Sequence, residues 1–80
     1  MNENDIYKKL QAIFNQLLAT PIEVGPETNS DDSSEWDSFF YISLITEIER
    51  EFNIRFDLGQ AAQAQKLYEL VTMIQEKTSV

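Results

Sequence analysis

The chain has 80 residues, 14 acidic and 6 basic, for a net charge of −8, and it contains neither Cys nor His. That length fits one small domain, read here as residues 1–80, with a modest hydrophobic core. The missing residue types exclude disulfide staples, thiolate nucleophiles, zinc–thiolate sites and imidazole-based triads, so the chain is not expected to be an enzyme.

The acidic balance disfavours nucleic acid and anionic membrane surfaces, which repel it, and favours a basic protein partner. Apolar residues make up 42% of the chain, enough for a globular core. Two Gly and two Pro are too few for a turn-rich β fold and point to helices. No apolar run approaches the roughly 20 residues of a membrane span. The acidic start, Met1 to Asp5, has no apolar core of a signal peptide, so the expected address is the cytoplasm.

In chain order, the first predicted element is a helix over 3–18. Ile6, Leu10, Ile13, Phe14, Leu17 and Leu18 form one stripe of helical period, with Asn4 or Asp5 as its cap and Lys8, Lys9, Gln11 and Asn15 on the outer face. Thr20-Pro21 ends it, because the residue before Pro avoids the helical region. Residues 20–36 form a long polar connection, expected to be pinned to the core by Ile22 and Val24. A second helix is predicted over 37–52, with Asp37 as N-cap and Trp36 and Tyr41 at the positions of a hydrophobic staple. Tyr41, Leu44, Ile45, Ile48 and Phe52 are its expected core face. Phe39, Phe40 and Ile42 do not all fit that stripe, so some of them stay near the surface. Asp57 and Gln60 have capping-box spacing and suggest a short helix over 57–63. A final helix is predicted over 66–77, with Leu67, Leu70, Val71 and Ile74 on one face and a weakly marked start, since Gln65 and Lys66 are poor caps.

Charge is unevenly spread. Residues 20–52 hold nine of the acids and one base, Arg50, so the long loop and second helix together carry the whole net charge. Such a face either keeps a small protein in solution or steers basic partners. A calcium loop of EF-hand type needs Gly at its sixth position and Glu at its twelfth. Counting from Asn29 puts Ser34 and Phe40 there, and counting from Asp31 puts Trp36 and Ile42 there, so both frames fail. No metal site is expected. What remains is Glu35-Trp36-Asp37-Ser38-Phe39, where the loop meets the second helix. Ser38 falls near the first helical position, where its hydroxyl is exposed and the helix N-terminus favours a bound phosphate. Taken alone, that stretch is better explained by ordinary helix capping by Asp37 or Ser38.

The stretch does not stand alone. Asp37-Ser38-Phe39, then Ile42, Leu44, Ile45, the run Glu47 to Phe52 and Ile54 resemble the core of the acyl carrier protein family. The order of elements is similar over nearly the whole chain. The resemblance implies an all-α, four-helix bundle with three longer helices and one short one. It implies a 4′-phosphopantetheine arm attached through a phosphodiester to Ser38, with Asp37 helping a phosphopantetheinyl transferase to recognise the motif. It also implies that Phe39, Ile42, Glu47, Glu49 and Glu51 contact partner enzymes. The arm supplies the thiol that a chain without Cys lacks, and it carries acyl intermediates as thioesters between active sites. Departures from the family pattern are Trp36 where many members have Gly, Phe39 for Leu, Ser43 where carriers of primary fatty acid synthesis often have Glu, Arg50 within the acidic run, and no Ser or Thr cap before Leu67. They point away from primary fatty acid synthesis.

The expected function is therefore that of a stand-alone, monomeric carrier. It is loaded by a transferase and visited by acyl-loading and acyl-transfer enzymes with basic docking surfaces, in a polyketide, fatty acid or related pathway. A peptidyl or aminoacyl carrier is the nearest alternative. An acidic interaction protein that docks a basic partner through helix 37–52 needs the glutamates but not Ser38. A structural subunit needs the Phe39–Phe40–Tyr41 run to be covered.

Overall fold

The computed structural model describes residues 2–78. Among them it contains α1 (Glu3–Leu17), a 3-10 turn (Ser30–Asp32), α2 (Ser38–Phe52), α3 (Leu58–Ala61) and α4 (Leu67–Thr78), and no strand. The all-helical architecture of three long helices and one short one agrees with the sequence reading, and the boundaries differ locally.

α1 stops at Leu17 rather than 18, because Leu18 is already extended and serves as the C-cap, its N–H donating to the Phe14 carbonyl. The N-cap is Asn2, not Asn4 or Asp5. The Asn2 side-chain oxygen accepts the Asp5 N–H at 2.9 Å, which leaves Asp5 and Glu3 in the first turn, where the helix dipole favours acids. α2 starts at Ser38 with Asp37 as its extended N-cap, as expected, the Asp37 carboxylate accepting the Phe40 N–H at 2.8 Å. It ends at Asn53, whose left-handed backbone (φ 55°) lets its N–H reach back to the Glu49 carbonyl. α3 is shorter than the predicted 57–63. Asp57 is its cap, accepting the Gly59 and Gln60 N–H groups, and beyond Ala62 the chain tightens into bonds from Gln63 N–H to Gln60 O and from Ala64 N–H to Ala61 O.

α4 begins at Leu67 and runs one residue past the predicted 77. Its weak start in the sequence is made good by groups from elsewhere. The Glu69 carboxylate accepts both the Gln65 and Lys66 N–H groups, at 2.7 and 2.9 Å. The next two N–H groups, of Leu67 and Tyr68, donate to the carbonyls of Thr28 and Pro26 in the long loop, at 2.8 and 3.0 Å. The loop thus caps α4, which answers the general need of the first N–H groups of a helix for outside acceptors.

The core is built from the predicted stripes. Ile6, Leu10 and Phe14 of α1 meet Leu44, Ile45 and Ile48 of α2 and Leu67, Leu70, Val71 and Ile74 of α4, all buried. α1 packs against both α2 and α4. Ile22 and Val24 pack on this core as expected. Their backbone is held by Gln11, assigned above to the outer face of α1. The Gln11 amide donates to the Ile22 carbonyl and accepts the Val24 N–H, both at 2.9 Å. On α2 the expected core face shifts by one residue at its start: Phe40 is buried, whereas Tyr41 is only half-buried. Phe39 and Ile42 stand out from the surface at 80% and 61% exposure.

Candidate functional site

The site is assembled where the long loop turns into α2. Glu35 fixes the approach. Its two carboxylate oxygens accept the N–H groups of Ala19 and Thr20, at 2.9 and 3.0 Å, just beyond the end of α1. Those two bonds hold the Glu35 carboxyl below the ordinary range. Trp36 comes next. Its ring packs on Phe14 of α1 and Phe40 of α2, with centroids 5.4 and 5.2 Å away, and Phe14 and Phe40 meet edge-on at 5.7 Å. The expected staple between Trp36 and Tyr41 is therefore replaced by this aromatic triangle, because Phe40 and not Tyr41 turns inward. Such tilted and edge-on pairs are the favoured aromatic geometries.

With Glu35 and Trp36 anchored, Asp37 caps the helix and Ser38 follows as its first residue, exposed to solvent. The N–H groups of the first helical turn have no intrahelical acceptors, so the positive end of α2 lies beside the Ser38 hydroxyl. Ser38 sits at the rim of an open groove of ≈ 770 Å³. Asn29 and Asp31 line it from the loop, Trp36, Tyr41 and Ile42 from the start of α2, and Ala64 from the connection to α4.

Tyr41 crosses from α2 to α3. Its hydroxyl donates to the Ala61 carbonyl. Burial, with a smaller contribution from the Glu69 carboxylate, pushes its pKa up to about 12. Nothing local in the sequence marks this bond, since its two ends are 20 residues apart.

The three glutamates of α2 are put to different uses. Glu51 pairs with Lys9 of α1 at 3.0 Å, and Glu47 pairs with Arg50 at 3.1 Å. Glu49 turns toward the connector, where its carboxylate accepts the Phe56 N–H at 2.8 Å. Phe39 and Ile42 are exposed, and Ile42 also lines the groove. The structure thus brings Asp37, Ser38 and Ile42 together at one end of α2. No group of three or more His, Cys, Asp or Glu side chains able to hold a metal occurs among the described residues, and no helix there is long and apolar enough to cross a membrane. Sequence reasoning placed Glu35 in the candidate stretch without a role and read Tyr41 only as core and staple, because each acts on backbone far away in the chain.

A family model described as a phosphopantetheine attachment site matches residues 8–74. An acyl carrier protein of Guillardia theta is 30% identical over 80 residues, which cover 99% of both chains. An acyl carrier protein of Thermosynechococcus vestitus is 28% identical over the same length and the same shares. Among solved structures, the solution NMR structure of holo acyl carrier protein from Geobacter metallireducens aligns with a TM-score of 0.79 at 28% identity, covering 89% of this chain and 83% of that one.

Proposed function

The chain belongs to the acyl carrier protein family, whose members bear a covalent 4′-phosphopantetheine and act as carriers rather than catalysts, and from this we propose that Ser38 bears the arm and that this one domain serves a pathway other than primary fatty acid synthesis. The observation that carries the assignment of Ser38 is its position: an exposed hydroxyl on the first residue of α2, at the rim of an open groove. The residues there fit the group. A phosphodiester anion is favoured beside the free N–H groups of a helix start, and the groove leaves room for an arm. When bound, the arm supplies a thiol for thioester formation.

The chain's own part is to present Ser38. Glu35 and Trp36 fix the backbone on one side and Asp37 the helix start on the other, so the hydroxyl is held outward for a transferase. In the loading reaction the Ser38 oxygen forms a bond to the phosphorus that bears pantetheine in CoA. The hydroxyl proton is lost to the transferase, and adenosine 3′,5′-bisphosphate leaves. Phe39 and Ile42 offer apolar contacts beside that point, and Glu47 and Glu51 offer charge to basic partner enzymes. Their present pairing with Arg50 and Lys9 is at the surface, where such pairs contribute about 0–1 kcal/mol and exchange readily. Glu49 is the poorest docking residue of the three, since its carboxylate is engaged with Phe56. Two features support a pathway apart from primary fatty acid synthesis: Ser43 is uncharged, and Arg50 offsets the acidic run.

Tandem mass spectrometry of the digested holo protein tests the attachment residue. The arm is expected on the peptide bearing Ser38; finding it on Ser33, Ser34 or Ser43 instead would overturn the assignment.

A further inference from the structure

We propose that Tyr41 decides where the cargo lies: its ring shuts the groove off from the core, so that an acyl group borne at Ser38 stays in the open, solvent-facing groove. The inference deepens the reading of Ser38 as the attachment residue and rests on it.

Three residues both line the groove and pack against the core: Trp36, Tyr41 and Ala64. They form the partition between the two. Trp36 is held by Phe14 and Phe40. Tyr41 is held by its hydrogen bond to the Ala61 carbonyl. That bond also fastens α3, because Ala61 is the buried residue of this short helix while Leu58, Gly59 and Gln60 are exposed. Behind Tyr41, Leu44, Ile45 and Ile48 are at most 2% exposed. A chain passing from the groove into the interior has to turn the Tyr41 ring out. It breaks the Tyr41 bond to the Ala61 carbonyl, which then keeps only the Ala64 N–H, and it uncovers the apolar side chains beneath the ring. It then meets side chains already packed to the density of a protein interior.

Asn29, Ser30 and Asp31 line the groove together with Ile42, Ala62 and the three partition residues, so most of its surface is apolar. An aliphatic chain borne at Ser38 finds apolar contacts there without entering the core.

The test loads the full chain from butyryl-CoA and from octanoyl-CoA with a broad-specificity phosphopantetheinyl transferase, and intact mass confirms one arm on each. Hydroxylamine cleavage of the two thioesters is then timed. On the parent protein the two are expected to cleave at rates within about twofold of each other. On Tyr41→Ala, octanoyl is expected to cleave at least fivefold more slowly than butyryl, since the opened partition admits it. A general loss of packing would not produce that dependence on chain length. A second measurement needs no variant: in the octanoyl-loaded parent, nuclear Overhauser contacts from the chain are expected to Ile42 and Ala64. Contacts to the methyl groups of Leu44 or Ile48, or selective protection of octanoyl on the parent, would overturn the inference while leaving Ser38 as the attachment residue. Failure to load at all would overturn both.

Discussion

Single side chains do most to hold the site. Asp37 as cap and Ser38 as the first residue of α2 were legible as a local pattern, while their reading as a site came from the resemblance of the whole stretch to a family. Glu35 was not, since its partners, Ala19 and Thr20, are 15 and 16 residues away and share no period with it. Its role has a consequence in acid. The carboxyls of Glu35 and Glu69 lie below the ordinary value of 4.5, each because it accepts two backbone N–H groups. A carboxyl with a depressed folded pKa takes up its proton more readily in the unfolded chain. Its contribution is therefore present above the unfolded value and fades as pH falls through the folded one. Urea titrations are expected to show stability dropping below pH about 4.5, and Glu35→Gln and Glu69→Gln each to make the drop shallower. Tyr41 has the opposite sign. Its folded pKa is raised to about 12 from 10.0, so the folded state holds the proton longer and stability is lost as pH climbs through that window. Ultraviolet titration of the phenols is expected to show a phase near pH 12 that Tyr41→Phe removes.

At the scale of the elements, helical period was enough to find α1, α2 and α4 and to name most of their core residues. The ends were less legible, because caps are chosen by geometry rather than by residue type alone. Asn2 caps α1 although Asn4 and Asp5 are equally good capping residues, since the helix starts early enough to use the first of them. α4 has no local cap at all and takes its acceptors from Glu69 inside the helix and from Thr28 and Pro26 in the loop. The inward turn of Phe40 in place of Tyr41 was likewise set by a partner from another element, the Phe14 ring. Two substitutions test this level. Asp37→Ala removes the α2 cap and is expected to cost about 1 kcal/mol in thermal or urea unfolding. Asn53→Val puts a β-branched residue into the left-handed C-cap, with an expected loss on the order of 1–2 kcal/mol; Asn53→Gly is expected to change stability by far less.

At the scale of the whole molecule, the bundle serves to hold one end of α2 in place. Phe14 joins the two tasks, being part of the core and of the aromatic triangle behind Trp36. Phe14→Ala is expected to cost about 3–5 kcal/mol. A chain of 80 residues has only about 4–12 kcal/mol in total, so this variant should be largely unfolded by circular dichroism at temperatures the parent withstands. The concentration of charge on the loop and α2 was legible by counting. Which of those acids are committed to the fold was not, because Glu35 and Glu49 serve backbone N–H groups that the sequence does not reveal. The central claim, that this bundle presents Ser38 for a phosphopantetheine arm, is tested most directly by intact mass after incubation with CoA, magnesium and a broad-specificity phosphopantetheinyl transferase, with Ser38→Ala alongside. The expected result is a gain of one phosphopantetheine on the parent and none on Ser38→Ala. Equal gain on both, or no gain on a parent shown by circular dichroism to be folded, would contradict it.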